Sequence, residues 1–172
     1  PETDVTIQWA SEHAECLAAL QADPSIVCML PQPFATSALA KVEGARIALD
    51  LTEVWDETVA ANGGDSQLIT GVAVARSTFA WQHPAAVEEL LDAYAASVDF
   101  VNDDPSTAAQ LIEAADIVTA QVAKQAIPYC NIVCMTGAEM AGALTGYLQT
   151  LYDADPASVG GAMPGDDFCY GA

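Results

Sequence analysis

The stretch Ser25-Ile-Val-Cys-Met-Leu-Pro-Gln-Pro-Phe-Ala-Thr-Ser-Ala-Leu-Ala40 constrains this chain more than any other. Ile26 to Leu30 is an apolar run without alternation, the pattern of a strand buried on both faces of a mostly parallel sheet. Pro31 and Pro33 then stop it, because proline has no N–H to give a ladder and holds its φ fixed. Pro33 also suits the opening turn of a helix from Phe34 to Lys41. A strand running through a stiff loop into a helix is where α/β proteins place ligands, so Pro31, Gln32, Pro33, Phe34 and Thr36 are candidate ligand-binding residues.

The first third repeats that rhythm. Strand Val5 to Trp9, helix His13 to Ala22, strand Ile26 to Leu30, helix Phe34 to Ala40 and strand Arg46 to Leu51 imply right-handed crossovers and a parallel sheet. Ser11 stands where the first helix needs an N-cap. Strand ends of a parallel sheet point one way, which would bring Ser11 and Glu12 beside Pro31 to Thr36, with Trp9 at the crevice edge as a further ligand contact.

Glu53 to Gln67 is polar and ends in the turn Asn62-Gly63-Gly64-Asp65, which sets a boundary between a segment 1–66 and a segment 67–172. Strand Leu68 to Ala75 follows, and everything after Arg76 reads as helix. Pro84 opens a long one, with Val87, Leu90, Leu91, Tyr94, Val98 and Val101 on one stripe. Asp104-Pro105 opens another through Ala114, Val118 to Ile127 a third stopped by Pro128, and Thr136-Gly-Ala-Glu139 has capping-box spacing for a fourth. The tail from Asp155 is expected to be loop held by Phe168 and Tyr170. Four helices and one strand cannot make a sheet, so their apolar stripes call for a partner sheet.

At 172 residues the chain can bury a sizeable core. Four basic residues against 24 acidic ones give a net charge of −20, which repels phosphate backbones and excludes nucleic acid as a partner. No run approaches the length of a membrane span, and Pro1-Glu2-Thr3-Asp4 lacks the basic start and apolar centre of a signal peptide. Pro1 stands directly before a strand-like run, so the chain is read as a fragment. Cys16, Cys28, Cys130, Cys134 and Cys169 are odd in number and irregular in spacing, which indicates no disulfide framework and suits buried small apolar residues.

Chemistry-bearing motifs are sparse. His13 and Cys16 lie three apart with Glu12 and Glu15 nearby, but a metal site needs three or four ligands and a second shell, so no metal or other cofactor is expected. No nucleophile elbow, phosphate loop, dinucleotide fingerprint or zinc-protease motif occurs. Two histidines without a paired acid or base give catalysis little to stand on, and no catalytic residue is assigned.

Several segments taken in order are similar to the solute-binding proteins of ABC importers in the nitrate, sulfonate, taurine and thiamine-pyrimidine group. They are Met29-Leu-Pro-Gln-Pro-Phe-Ala-Thr36, Gly71-Val-Ala-Val-Ala-Arg76 with Phe79 and His83-Pro84, Ala126-Ile-Pro-Tyr-Cys-Asn-Ile-Val133, Gly137-Ala-Glu-Met140, and Ser158-Val-Gly-Gly161 to Asp166-Asp-Phe168. The resemblance implies an α/β, two-lobed periplasmic-binding-protein-like fold, of which this chain holds most of lobe 2 and the helical returning half of lobe 1. It implies no catalysis, a small-molecule solute in a cleft lined by the equivalent of Pro31 to Thr36, a membrane permease as partner, and a missing N-terminal lobe of the same protein. It places the protein outside the cytoplasm, in the periplasm or lipid-anchored at the cell surface. Gln32 stands where the family commonly has glutamate, which favours a neutral hydrogen-bonding solute over a cationic one. Two rivals are an enzyme of thiamine-pyrimidine synthesis on the same scaffold, which would need a cysteine-rich iron site and a reactive histidine, and a ligand-sensing domain without transport.

Overall fold

A computed structural model describes residues 4–64, 66–165 and 167–171. Asp65 of the expected turn and Asp166 of the terminal motif lie outside them. Helix is the only regular secondary structure among the described residues: α1 His13–Ala22, α2 Phe34–Lys41, α3 Leu51–Ala61, α4 Ser77–Gln82, α5 Pro84–Asp103, α6 Pro105–Ala114, α7 Ala120–Ala126 and α8 Gly137–Ala154, with short 3-10 turns at Ile127–Tyr129 and Pro156–Val159.

This overturns the α/β expectation, and with it the two-lobed periplasmic-binding-protein-like fold. The runs assigned as strands, Val5 to Trp9, Ile26 to Leu30, Arg46 to Leu51 and Leu68 to Ala75, form no ladder, and Leu51 opens α3 instead. A helix satisfies its backbone hydrogen bonds within itself, whereas a strand needs a neighbour from elsewhere in the chain. An apolar run signals that a segment gains by burial but says nothing of what will cover it. Here these runs stay open, with Val27 91% and Val74 86% exposed.

The helix starts follow local chemistry. Asp50 caps α3 by accepting from the N–H groups of Thr52 and Glu53, and Asp104 caps α6 ahead of Pro105. Ser11 does not cap α1. Glu12 does, in a capping box with Glu15, whose Oε2 accepts from the N–H of Ser11 at 3.0 Å and of Glu12 at 3.3 Å. Thr136 precedes α8 without a side-chain capping bond.

Asp104 supports a pH prediction. The Thr107 hydroxyl at 2.6 Å and the Thr107 N–H at 3.0 Å donate to its carboxylate and hold its pKa below the ordinary 3.8. With the folded pKa lowered, the cap's contribution is full above the ordinary value and is lost as pH falls through the lower folded one. In an acid titration followed by the Thr107 amide shift, the midpoint is expected below 3.8, and Asp104→Asn, which caps without titrating, should flatten the curve. A midpoint at or above the ordinary value would contradict the capping bond.

The chain divides into two units. The first, Pro1–Ile47 with Ala95–Ile132, contains α1, α2, α6, α7 and the last part of α5. In it α6 packs on α7, α7 on α2, and α2 on α1. Its core is Leu17, Thr36, Ala38, Val42, Val98, Ala108, Ala109, Ala123, Ala126 and Ile127. The second, Ala48–Tyr94 with Val133–Ala172, contains α3, α4, α8 and the first part of α5, and buries Ala80, Val87 and Ala143. Trp55 of α3 meets Tyr147 of α8 with ring centroids 5.4 Å apart and donates from Nε1 to the Ser66 carbonyl at 3.3 Å. Of the α5 stripe, Val87 and Val98 are buried but Leu90 and Tyr94 are exposed, and Phe168 and Tyr170 stand exposed rather than anchoring the tail.

Candidate functional site

The candidate site lies in the first unit, where the starts of α1 and α2 meet. Gln32 and Pro33 form the turn that delivers Phe34 into α2, with the N–H of Ala35 donating to the Pro31 carbonyl and that of Ser37 to Pro33, both at 3.0 Å. The Gln32 side chain folds forward over this turn. Its Oε1 accepts from the Thr36 hydroxyl at 2.7 Å and from the Thr36 N–H at 3.2 Å. Thr36 is only 6% exposed, so the carbonyl end of the Gln32 amide is fixed on the inner side. Its NH₂ is the end left to donate outward.

His13, in the first turn of α1, lies against Phe34 with ring centroids 5.2 Å apart at a 58° tilt. That contact joins the start of α1 to the start of α2, while the N–H groups of Ser11 and Glu12 are taken up by Glu15 of α1 itself. Deeper along α1, Cys28 packs on Cys16 and holds the extended run to the same helix. Pro31 is exposed, while Gln32, Pro33 and Phe34 are half-buried. Trp9 is not drawn in. It is 84% exposed and lines a separate shallow hollow of about 340 Å³ with Val5, Thr6 and Ile7.

The electrostatics favour a neutral guest. Glu12 and Glu15 both sit in the capping box, so a full anion would meet carboxylates while a neutral acceptor oxygen would meet the Gln32 amide. Among the described residues no group of three or more His, Cys, Asp or Glu side chains is placed to hold a metal ion.

Sequence reasoning weighed His13 as a metal ligand and as a reactive histidine, and missed its place on Phe34. It also missed an open apolar groove of about 460 Å³ in the first unit, lined by α5 and α6 with Phe100, Val101, Leu111 and Ile112, and by Ile117 beyond them. The exposed Leu111 and Ile117 were its available signal. No protein-family model, curated protein or solved structure matches this chain.

Proposed function

We propose that this chain is part of an extracytoplasmic solute-binding component of an ABC importer, which captures a small polar solute and presents it to a membrane permease. The observation that carries the reading is the fixed amide of Gln32 beside the paired starts of α1 and α2. It lies in Met29 to Thr36, one of the segments on which the resemblance to solute-binding proteins of importers rests. A donor held in place by Thr36 loses little rotamer freedom when a solute oxygen arrives, so more of the hydrogen bond survives as affinity. Solute binding then shifts the population toward whichever conformation the permease recognises, by its differential affinity for that state.

The remainder of the binding protein is the second partner in this reading. The exposed apolar runs around Val27 and Val74 support a larger whole in which they are covered. Among the described residues no helix is long and apolar enough to cross a membrane, and the reading assigns tethering to a lipid anchor or retention to the periplasm.

The coding sequence upstream of Pro1 tests this directly. An export signal followed by further chain is expected, and the full-length product, titrated calorimetrically with nitrate, taurine, an alkyl sulfonate and a thiamine pyrimidine, should bind taurine or the pyrimidine, which carry no net charge, in preference to the two anions. Gln32→Ala should weaken that binding about tenfold, equivalent to about 1.4 kcal/mol. A start codon immediately before Pro1 with no export signal would sink the importer reading. Affinity unchanged by Gln32→Ala would remove the site.

A further inference from the structure

Two of the five cysteines are neighbours in space although twelve residues apart. The Cys28 thiol donates to the Cys16 carbonyl at 3.5 Å, so its sulfur rests against the backbone that carries the Cys16 side chain. Both residues are half-buried, in the same unit, one on α1 and the other on the extended run 27–31. The Cys130 thiol is engaged locally, donating to the Ala126 carbonyl at 3.2 Å, and Cys134 and Cys169 belong to the other unit.

We infer that Cys16 and Cys28 form a disulfide-exchange site, at which a small-molecule disulfide such as oxidised glutathione converts the two thiols to a bond stapling residues 27–31 onto α1. The Cys16 thiolate attacks one glutathione sulfur, forming a mixed disulfide and expelling one glutathione thiolate. The Cys28 thiolate then attacks the Cys16 sulfur, closing the protein disulfide and expelling the second. Two protein thiols lose two electrons and two protons, and one glutathione disulfide becomes two glutathione thiols. Burial first, and the neighbouring Cys16 second, push the Cys28 pKa up, which suits Cys28 to the resolving role, since a nucleophile held beside its target gains from proximity what it lacks in ionised fraction.

The position makes the staple consequential. Residues 27–31 lead straight into Gln32, so closing a short loop through α1 limits the excursions of the unfolded chain and fixes the approach to the candidate site.

The test is oxidation of the native chain with oxidised glutathione, followed by cleavage before aspartate under non-reducing conditions. Cutting at Asp23 separates Cys16, in residues 4–22, from Cys28, in residues 23–49. The expected result is those two peptides joined, with a melting temperature several degrees above that of the reduced chain. Cys28→Ser, close in volume to the native residue, should leave Cys16 as a glutathione adduct that no longer resolves. Cys16 or Cys28 joined to Cys130, Cys134 or Cys169, both thiols held only as glutathione adducts, or the 16–28 bond without a rise in melting temperature, would each overturn the inference.

Discussion

Ala109→Leu is expected to destabilise the first unit by about 3 kcal/mol. α6 packs on α7, and Ala108 and Ala109 of the one and Ala123 and Ala126 of the other are all nearly inaccessible, Ala109 and Ala126 at 1%. The connection between the two helices is tight. Asp116 takes a φ of 57°, its N–H donates to the Glu113 carbonyl at 2.9 Å, and Glu113 Oε1 accepts from Ala120 N–H at 3.1 Å. With the hairpin pinned at its turn, the helices cannot part to admit three more carbons without breaking these bonds or forcing side chains off their rotamers. The neighbouring change Gln110→Leu adds apolar bulk on the exposed side and should stay within about 0.5 kcal/mol of the parent. Hydrogen exchange of the α6 and α7 amides is the proper readout, because it reports this unit separately from the other. Equal protection in both variants would mean that the alanine faces do not meet.

The second large effect is a change of sign within one helix. Gly142 and Gly146 lie one turn apart in α8, where either glycine costs about 1 kcal/mol relative to alanine. A Cβ built at Gly142 meets nothing within 4 Å, whereas one at Gly146 lies 3.0 Å from the Ser66 Cβ and 3.2 Å from its Cα. Ser66 is poorly placed to yield, since its carbonyl is held by the Trp55 indole and Trp55 is backed by Tyr147. Gly142→Ala should therefore stabilise by about 0.5–1 kcal/mol, and Gly146→Ala should destabilise by about 2 kcal/mol after its propensity gain is counted. Urea midpoints of the two variants on opposite sides of the parent are the expected pattern. Two stabilised variants would show that residue 66 does not press on α8.

What could be read from the sequence divides by range. Asp104-Pro105 and Pro84 announce their helices because a cap and a fixed φ act within one turn, and α1, α2 and α6 begin where the local pattern puts them. The cap of α1 was equally local, since Glu12 and Glu15 have capping-box spacing, but the hydroxyl of Ser11 drew the assignment. α3 was missed for a different reason. Leu51, Val54, Trp55 and Val59 follow helical spacing behind the Asp50 cap, yet the acidic residues among them read as a linker. The strand assignments failed on non-local pairing, about which an apolar run is silent. At the candidate site, Gln32 and Thr36 are four apart and local, whereas His13 on Phe34 and Cys28 on Cys16 join segments far apart in sequence. No single-chain pattern encodes those meetings.

The open runs around Val27 and Val74 also bear on the life of the chain in a cell. Ile26 to Phe34 and Ser66 to Ala75 carry no charged residue, so the net charge of −20 sits elsewhere and keeps molecules apart without shielding these stretches. Newly made chains then face a kinetic race, in which long-range repulsion slows self-association while chaperones and proteases sample the uncovered segments. If the proposed remainder of the protein covers those segments, abundance in such a race follows how soon it does so, and substitutions that leave every internal contact intact can still change the steady-state level of the protein.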